Sequence, residues 1–416
     1  MTHPPLQPWR VAIAGMLSLA VAMGIGRFAF TPLLPMMLAD GVVTLPGASW
    51  LASANYFGYL VGALLCTLQP WAWRRLGWQR PLNAPSMVRT GLLATTLLTL
   101  GMAAHLPAAW PALRFAAGVA SAFVFVYTSG WCLGQLARLQ LPAMGALIYI
   151  GPGAGIVLSG LAASGMVALH WTAAAGWLIF GVLAAVLTLL LWPAVHPRHE
   201  LPATAPAASA SAAQAATVPR HGATEIAVLA IAYGLAGFGY IITATFLPVI
   251  ARQALPGSPW LDLFWPIFGL GVILGALVAS RVRSGGDLRW LLTACYAVQA
   301  LGIAIGLFSP SLAGFALGSL LLGLPFTAIT FFAMQEVRRI RPLAPSALMG
   351  LLTALYGLGQ IVGPPLASAL LARSASPGAG FTLSLQIAAS ALLTGAAALA
   401  LMTRLWPVSS PKSLSN

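Results

Sequence analysis

The chain is short of charge, and of acid above all. It has six Asp and Glu in 416 residues and only 6% charged positions, where ordinary soluble domains carry about 25%. With 59% of residues hydrophobic, so few charges cannot solvate a globular surface, and the chain reads as an integral membrane protein. The acids Asp40, Glu200, Glu225, Asp262, Asp287 and Glu336 lie in loops or near the ends of apolar runs. No pair of intramembrane carboxylates is expected for aspartyl chemistry, and no acidic proton relay is evident. The three cysteines, Cys66, Cys132 and Cys295, are far apart in apolar runs and read as small buried hydrophobes, not as a disulfide or metal framework. His105 and His170 sit at span ends, and His196 and His199 are too few for a metal site. Ser129 and Ser159 find no histidine at matching depth, which argues against a serine protease. A polytopic intramembrane enzyme is therefore disfavoured, and no cofactor is implied.

What the chain does have is length in apolar runs. About 20 apolar residues at 1.5 Å rise cross a hydrocarbon core, and twelve such spans can be drawn. The first six cover 10–38, 48–69, 86–106, 109–136, 143–168 and 171–193; the second six cover 225–251, 260–280, 288–308, 311–337, 345–371 and 380–405. Between them, residues 194–222 are rich in Ala, Pro, Ser and His and read as a polar linker. The expected organisation is an all-α membrane protein with an N-terminal six-helix bundle (1–193), a cytoplasmic linker (194–222) and a C-terminal six-helix bundle (223–416). The first apolar run is too long for a signal-peptide core of roughly 7 to 15 residues, so a cleaved signal is not expected.

The net charge of +14 would suggest nucleic acid in a soluble chain. Here the basic residues sit in short loops, with no separate basic domain, and their role is orientation. With the N-terminus placed inside, sixteen Lys and Arg fall in inner segments and two, Arg252 and Arg373, in outer ones; Arg27 and Arg114 lie within spans. Both termini are expected in the cytoplasm and the protein in the inner membrane. An error of one span would break this alternation.

The two halves also repeat. Gly24 to Pro35, GIGRFAFTPLLP, is echoed by Gly237 to Pro248, GFGYIITATFLP, at an offset of 213 residues. Gly58, Gly62, Ala63 and Leu64 recur at the same offset as Gly271, Gly275, Ala276 and Leu277. Gly151-x-Gly153 is echoed less strictly by Gly357-x-Gly359. Single glycines recur in any membrane bundle, but a shared offset marks a parallel repeat of the transporter kind, with a site between the halves near mid-membrane.

Taken together, the chain resembles the major facilitator superfamily. It has twelve spans as six plus six, an inner linker and inner termini, and GIGRFAFTPLLP resembles more narrowly the YbfB/YjiJ-type branch. Arg114-Phe-Ala-Ala-Gly118 is similar to the superfamily's Arg-x-x-x-Gly pattern. Gly151-Pro152-Gly153-Ala154-Gly155 is similar to the Gly-Pro-x-x-Gly element common among its antiporters, although the Gly expected four residues earlier is Leu147. The loop between spans two and three departs further. Where the superfamily has Asp-Arg-x-Gly-Arg, this chain has Arg74-Arg75-Leu76-Gly77-Trp78; Arg75 and Gly77 fit and the acid is missing, which puts the usual Asp-based latch in doubt. The resemblance implies the major facilitator fold, a small-molecule solute as partner in a lipid bilayer, and a cavity lined by spans one, four, seven and ten.

Arg27 is the leading candidate for substrate binding. A guanidinium near the bilayer centre costs roughly 2.5 to 3.5 kcal/mol on the insertion scale, so it faces protein or a cavity, and its planar fork suits a carboxylate or phosphate. Helical spacing puts Arg114, Gly118, Ser121, Phe125 and Thr128 on one face, although Arg114 could equally snorkel from an outer end. Other polar stripes carry Tyr233, Gly237 and Tyr240 in span seven, Thr353, Tyr356 and Gln360 in span eleven, and Asn55, Tyr59 and Gly62 in span two; Thr327 and Gln335 come from span ten. Glu336, beside Arg338 and Arg339, reads as a gate ion pair. The structural set is Arg75, Gly77, Gly118, Gly151, Pro152, Gly155 and Glu336.

The function expected from these features is secondary transport of a small organic solute by a monomer, working by alternating access, with an organic anion as the specific expectation. A proton-coupled multidrug exporter is the alternative suggested by Gly151-Pro152. Coupling to an ion stays open.

Overall fold

The computed structural model describes residues 7–77, 83–104, 106–196, 222–258, 260–282, 286–341 and 345–408. Most of the expected linker (197–221), together with His105, Trp78 and Glu200, lies outside the described residues. Among those described, the secondary structure is entirely helical.

Among the described residues twelve spans are present, two of them broken. Span one is α1 (Pro8–Leu19), a π-helical segment (Ala20–Arg27) and α2 (Phe30–Ala39). Single spans follow as α3 (Leu45–Arg75), α4 (Ala84–Gly101), α5 (Trp110–Arg138), α6 (Ile150–Ala168) and α7 (Ala173–Leu191). The second half comprises α8 (Ala223–Ala254), α9 (Phe264–Arg281), α10 (Leu288–Phe308), α11 (Leu312–Gly323) and α12 (Phe326–Ile340) forming span ten, α13 (Pro345–Arg373) and α14 (Pro377–Leu405). Eleven of the twelve are long and apolar enough to cross a bilayer on length and composition.

The twelfth, α4, is the threonine-rich one. Thr95 and Thr99 turn their hydroxyls onto the carbonyls of Gly91 and Thr95 at 2.8 and 2.7 Å, so neither needs water in the interior. Arg89 donates to the Trp192 carbonyl and lies over the Trp192 ring at 4.3 Å. Between α5 and α7, which flank it, α4 buries Thr95, Thr96 and Thr99 against protein.

Glycines let the helices touch backbone to backbone, and the repeated ones do so in equivalent places. A methyl at Gly58 would lie 1.9 Å from the Phe115 carbonyl oxygen of span four, and one at Gly271 would lie 2.4 Å from that of Leu320 in span ten. Gly24 meets Gly155 of span five, as Gly237 meets the Tyr356 carbonyl of span eleven. Gly153 faces Gly269 of span eight, and Gly357 faces Leu60 of span two. Spans five and eleven are therefore aligned through Gly153/Gly357 and Gly155/Gly359, two residues from the register that the bare Gly-x-Gly echo suggests. At the end of α3, Gly77 takes φ +68° in open space, the left-handed turn that ends a helix and that only glycine adopts without strain.

Candidate functional site

The stretch GIGRFAF breaks span one. The Phe28 N–H bonds the Met23 carbonyl at 3.0 Å, five residues back, which widens the turn and leaves nearby carbonyls without helical partners. Helix α5 donates to this segment, within the ladder at Ala22 and past its end at Gly26 and Arg27. Ser121 Oγ donates to the Ala22 carbonyl at 2.8 Å, Arg114 Nη1 to that of Gly26 at 3.2 Å and Arg114 Nη2 to that of Arg27 at 3.0 Å. Arg114 is 2% exposed, so it does not snorkel; its charge sits at the carbonyl end of a helical segment, where the macrodipole favours a cation.

Arg27, fixed in this way by its backbone, is 3% exposed. Its Nη2 donates to Gln360 Oε1 of α13 at 2.6 Å, and Gln360 Nε2 in turn donates to the Tyr240 hydroxyl of α8. Its guanidinium carbon lies 4.0 Å from the centre of the Tyr59 ring and 5.3 Å from those of Tyr56 and Phe28. Desolvated cation–π contacts of this kind contribute about 2 kcal/mol each. No ion pair reaches Arg27 or Arg114 among the described residues, and Arg27 Nε is buried without a partner.

Aromatic rings close around the arginine. Tyr240 stacks on Tyr356 at 5.9 Å and meets Phe326 edge-on at 5.1 Å; Tyr356 lies 4.8 Å from Tyr233, whose hydroxyl donates to Thr330 at 3.1 Å. Phe28, at the break of span one, meets Phe326, at the break of span ten, edge to face at 5.9 Å.

The structure thus brings Arg27, Tyr59, Tyr240, Tyr356 and Gln360 into one cluster, with Tyr233 at its edge. Asn55 is fully buried and donates to the Arg114 carbonyl at 2.9 Å, joining α3 to α5 where Gly118 lets them cross. Gln335 is half-buried on α12, and no hydrogen bond joins it to the cluster among the described residues. Gly151, which packs on the Met16 carbonyl, and Gly155, on that of Ala20, hold α6 to span one with Pro152 buried between them. The run that suggested drug export has a packing role. Arg75 is exposed beside Trp71. Missed in the sequence was Tyr56, whose hydroxyl bonds Thr245 at 2.9 Å; it lies three residues before Tyr59, on the same helical face.

The cluster is sealed on one side. From Phe28 to Met37 and from Gly239 to Ala251 every residue is buried, and hydrogen bonds join the halves there: Thr31 to the Ala244 carbonyl at 2.9 Å, Ser53 to that of Ile361 at 2.8 Å, and Ser164 to that of Asp262 at 3.2 Å. Towards the arginine-rich end, Tyr59, Tyr127, Tyr149, Thr353 and Tyr356 are only half-buried.

A second polar assembly lies at that arginine-rich end. Arg289, wholly buried, bonds Asp287 at 2.7 and 2.8 Å and the Trp406 carbonyl at 2.6 Å, and approaches Glu225 at 3.4 Å and Glu336 at 3.7 Å. Arg339 bonds Glu336 at 2.6 and 2.8 Å. Burial pushes the Asp287 carboxyl up, but hydrogen bonds from the Arg289 side chain and backbone, with the charge of that guanidinium, outweigh it and hold the group below its ordinary range. Glu336 pairs with Arg339 three residues on in its own helix. Glu225, Asp287 and Arg289 each look like isolated span-end residues in the sequence, and only the fold brings them together.

A buried, charged site between two helical halves is what the geometry amounts to, and known proteins share its setting. The family described as "Uncharacterised MFS-type transporter YbfB" matches residues 19–401. The chain belongs to this family. A relative, the "Uncharacterized MFS-type transporter YceJ" of Bacillus subtilis (strain 168), is 29% identical over 384 residues, covering 88% of this chain and 91% of its own. Among solved structures, a mutant of the nucleoside transporter NupG aligns with a TM-score of 0.71 at 15% identity, over 95% of this chain and 99% of its own. The D-xylose-proton symporter aligns with 0.68 at 13%, over 97% and 98%. At such identities these likenesses show the fold alone. The YbfB-type chain has the major facilitator fold; it is a multi-pass membrane protein and a secondary transporter, not an enzyme.

Proposed function

We propose that this transporter carries a small organic anion by alternating access, and that Arg27 takes the anionic group. The observation that carries the proposal is a guanidinium 3% exposed, between the two halves, with no acidic partner among the described residues and one N–H unbonded. A buried charge left this way is costly, and an entering carboxylate supplies the missing counter-charge. The tyrosine rings around it suit the flat or apolar body of such a solute. The sealed face and the half-buried opposite face support a carrier resting open towards the arginine-rich end. The Lys and Arg distribution supports placing that end, and both termini, in the cytoplasm of a cell with the protein in its inner membrane. The halves that rock are 1–193 and 223–416, joined by 194–222, within one monomer.

The test is exchange in proteoliposomes. Labelled organic acids, amino acids and neutral analogues are offered to wild type and to Arg27→Ala. Saturable exchange of acids that is lost in the variant is expected; preference for cations, or unchanged exchange in Arg27→Ala, would overturn the proposal.

A further inference from the structure

A guanidinium grips a carboxylate side-on through two parallel N–H groups, and on Arg27 that edge is formed by Nε and Nη2. In the structure Nη2 is taken by Gln360 Oε1 at 2.6 Å, while Nε is buried with no partner. One prong of the fork is filled by a neutral amide oxygen, and the other is empty. Gln360 is itself 2% exposed, and its amide nitrogen is held by the Tyr240 hydroxyl.

We infer that Gln360 is a stand-in ligand: its side chain occupies half of a carboxylate seat in the empty carrier, and the cargo's carboxylate displaces it. This rests on the anion reading above and adds to it a carboxylate specificity and a coupling residue. The balance of charge favours the exchange. An amide oxygen offers one acceptor with a partial charge; a carboxylate offers two with a full one, and so satisfies Nη2 and Nε together. Arg27 belongs to the first half and Gln360 to the second, so the exchange of partners also breaks a bond between the halves. The freed amide remains on Tyr240, which stacks on Tyr356, so occupancy of the seat is felt by α8 and α13.

The experiment needs no knowledge of the natural cargo, because acetate presents the carboxylate with only a methyl group attached. Thermal stabilisation of the purified full-length protein is measured against acetate concentration, with chloride at equal ionic strength and acetamide as controls. Gln360→Ala removes the competitor, and acetate affinity should rise roughly tenfold, the worth of a hydrogen bond to a charged group; Gln360→Met, nearer in volume, should do the same. Gln360→Glu builds the carboxylate in. That variant should melt higher than wild type and ignore acetate, and the gain should vanish when Arg27→Gln is added.

Acetate affinity unchanged or weaker in both Gln360→Ala and Gln360→Met would overturn the inference, as would Gln360→Glu lowering the melting temperature equally with and without Arg27. Failure of the two readings is separable. Arg27-dependent exchange of organic acids alongside unchanged acetate affinity in the Gln360 variants removes the stand-in and leaves anion transport. The acetate pattern without any exchange of organic acids establishes the seat and removes anion transport.

Discussion

Arg114 holds the backbone of Arg27: its Nη2 donates to the Arg27 carbonyl at 3.0 Å, beside a second bond from Nη1 to the carbonyl of Gly26. One arginine therefore sets the position from which the other works. Removing Arg114 leaves two buried carbonyls without donors, each costing about 1 to 3 kcal/mol. Arg114→Ala should lower stability by about 2 to 6 kcal/mol, read as a fall in melting temperature in detergent. Arg114→Lys, which has no fork, should recover only part of it.

Close approach at glycine gives a second prediction. Gly155→Ala would place a methyl 2.5 Å from the Ala20 carbonyl and 2.7 Å from Gly24, whereas Gly130→Ala meets nothing within 4 Å. The first should cost about 1 to 3 kcal/mol or more through forced backbone shifts, and the second should be close to neutral. Yield of folded protein by size-exclusion chromatography, with melting temperatures, checks the contrast.

The ionic assembly predicts a pH dependence. The Asp287 carboxyl lies below its ordinary range when folded, so its contribution is complete above the unfolded pKa of about 3.9 and is lost as pH falls through the lower folded value. Asp287→Asn should therefore melt below wild type near neutral pH, and the gap should narrow as the pH is taken below about 4. A gap independent of pH would count against a charged Asp287 in the folded state.

The bonds that seal the cluster predict accessibility. Thr31 and Ser53 each bond a backbone carbonyl of the other half, and such bonds average about 0.6 kcal/mol in membranes, close to threefold in a two-state equilibrium. Thr31→Val with Ser53→Ala should raise maleimide labelling of a Leu247→Cys reporter by about an order of magnitude at most, measured from the Asp40 side with the native cysteines replaced.

The span count, the broad repeat and the buried charge of Arg27 were legible because each depends on local composition or on a residue out of place in an apolar run. The break at Ala20–Arg27 was not: a π turn is stabilised by Ser121 and Arg114, which are remote in sequence, and nothing in GIGRFAF announces it except the two glycines. Gln360 was legible as a polar residue on a face, but its partnership with Arg27 spans 333 positions and is decided by how the halves pack. Arg289 was hidden for the opposite reason. Counted among loop charges for orientation, it turns out to be wholly buried, because Glu225, Asp287 and Glu336 converge on it.

The glycine-rich helix α6 has a mechanical consequence. On one side it lies against span one through Gly155 and Gly24, and on the other against α9 of the opposite half through Gly153 and Gly160, which face Gly269 and Pro266. Backbone meets backbone where Gly24 lies on Gly155, while on the other face Ile156, Val157, Pro266 and Ile273 fill the space that the glycines leave. Helix α6 therefore has no room for a larger residue on either face, so a single added methyl at these glycines is felt by span one and by the opposite half alike.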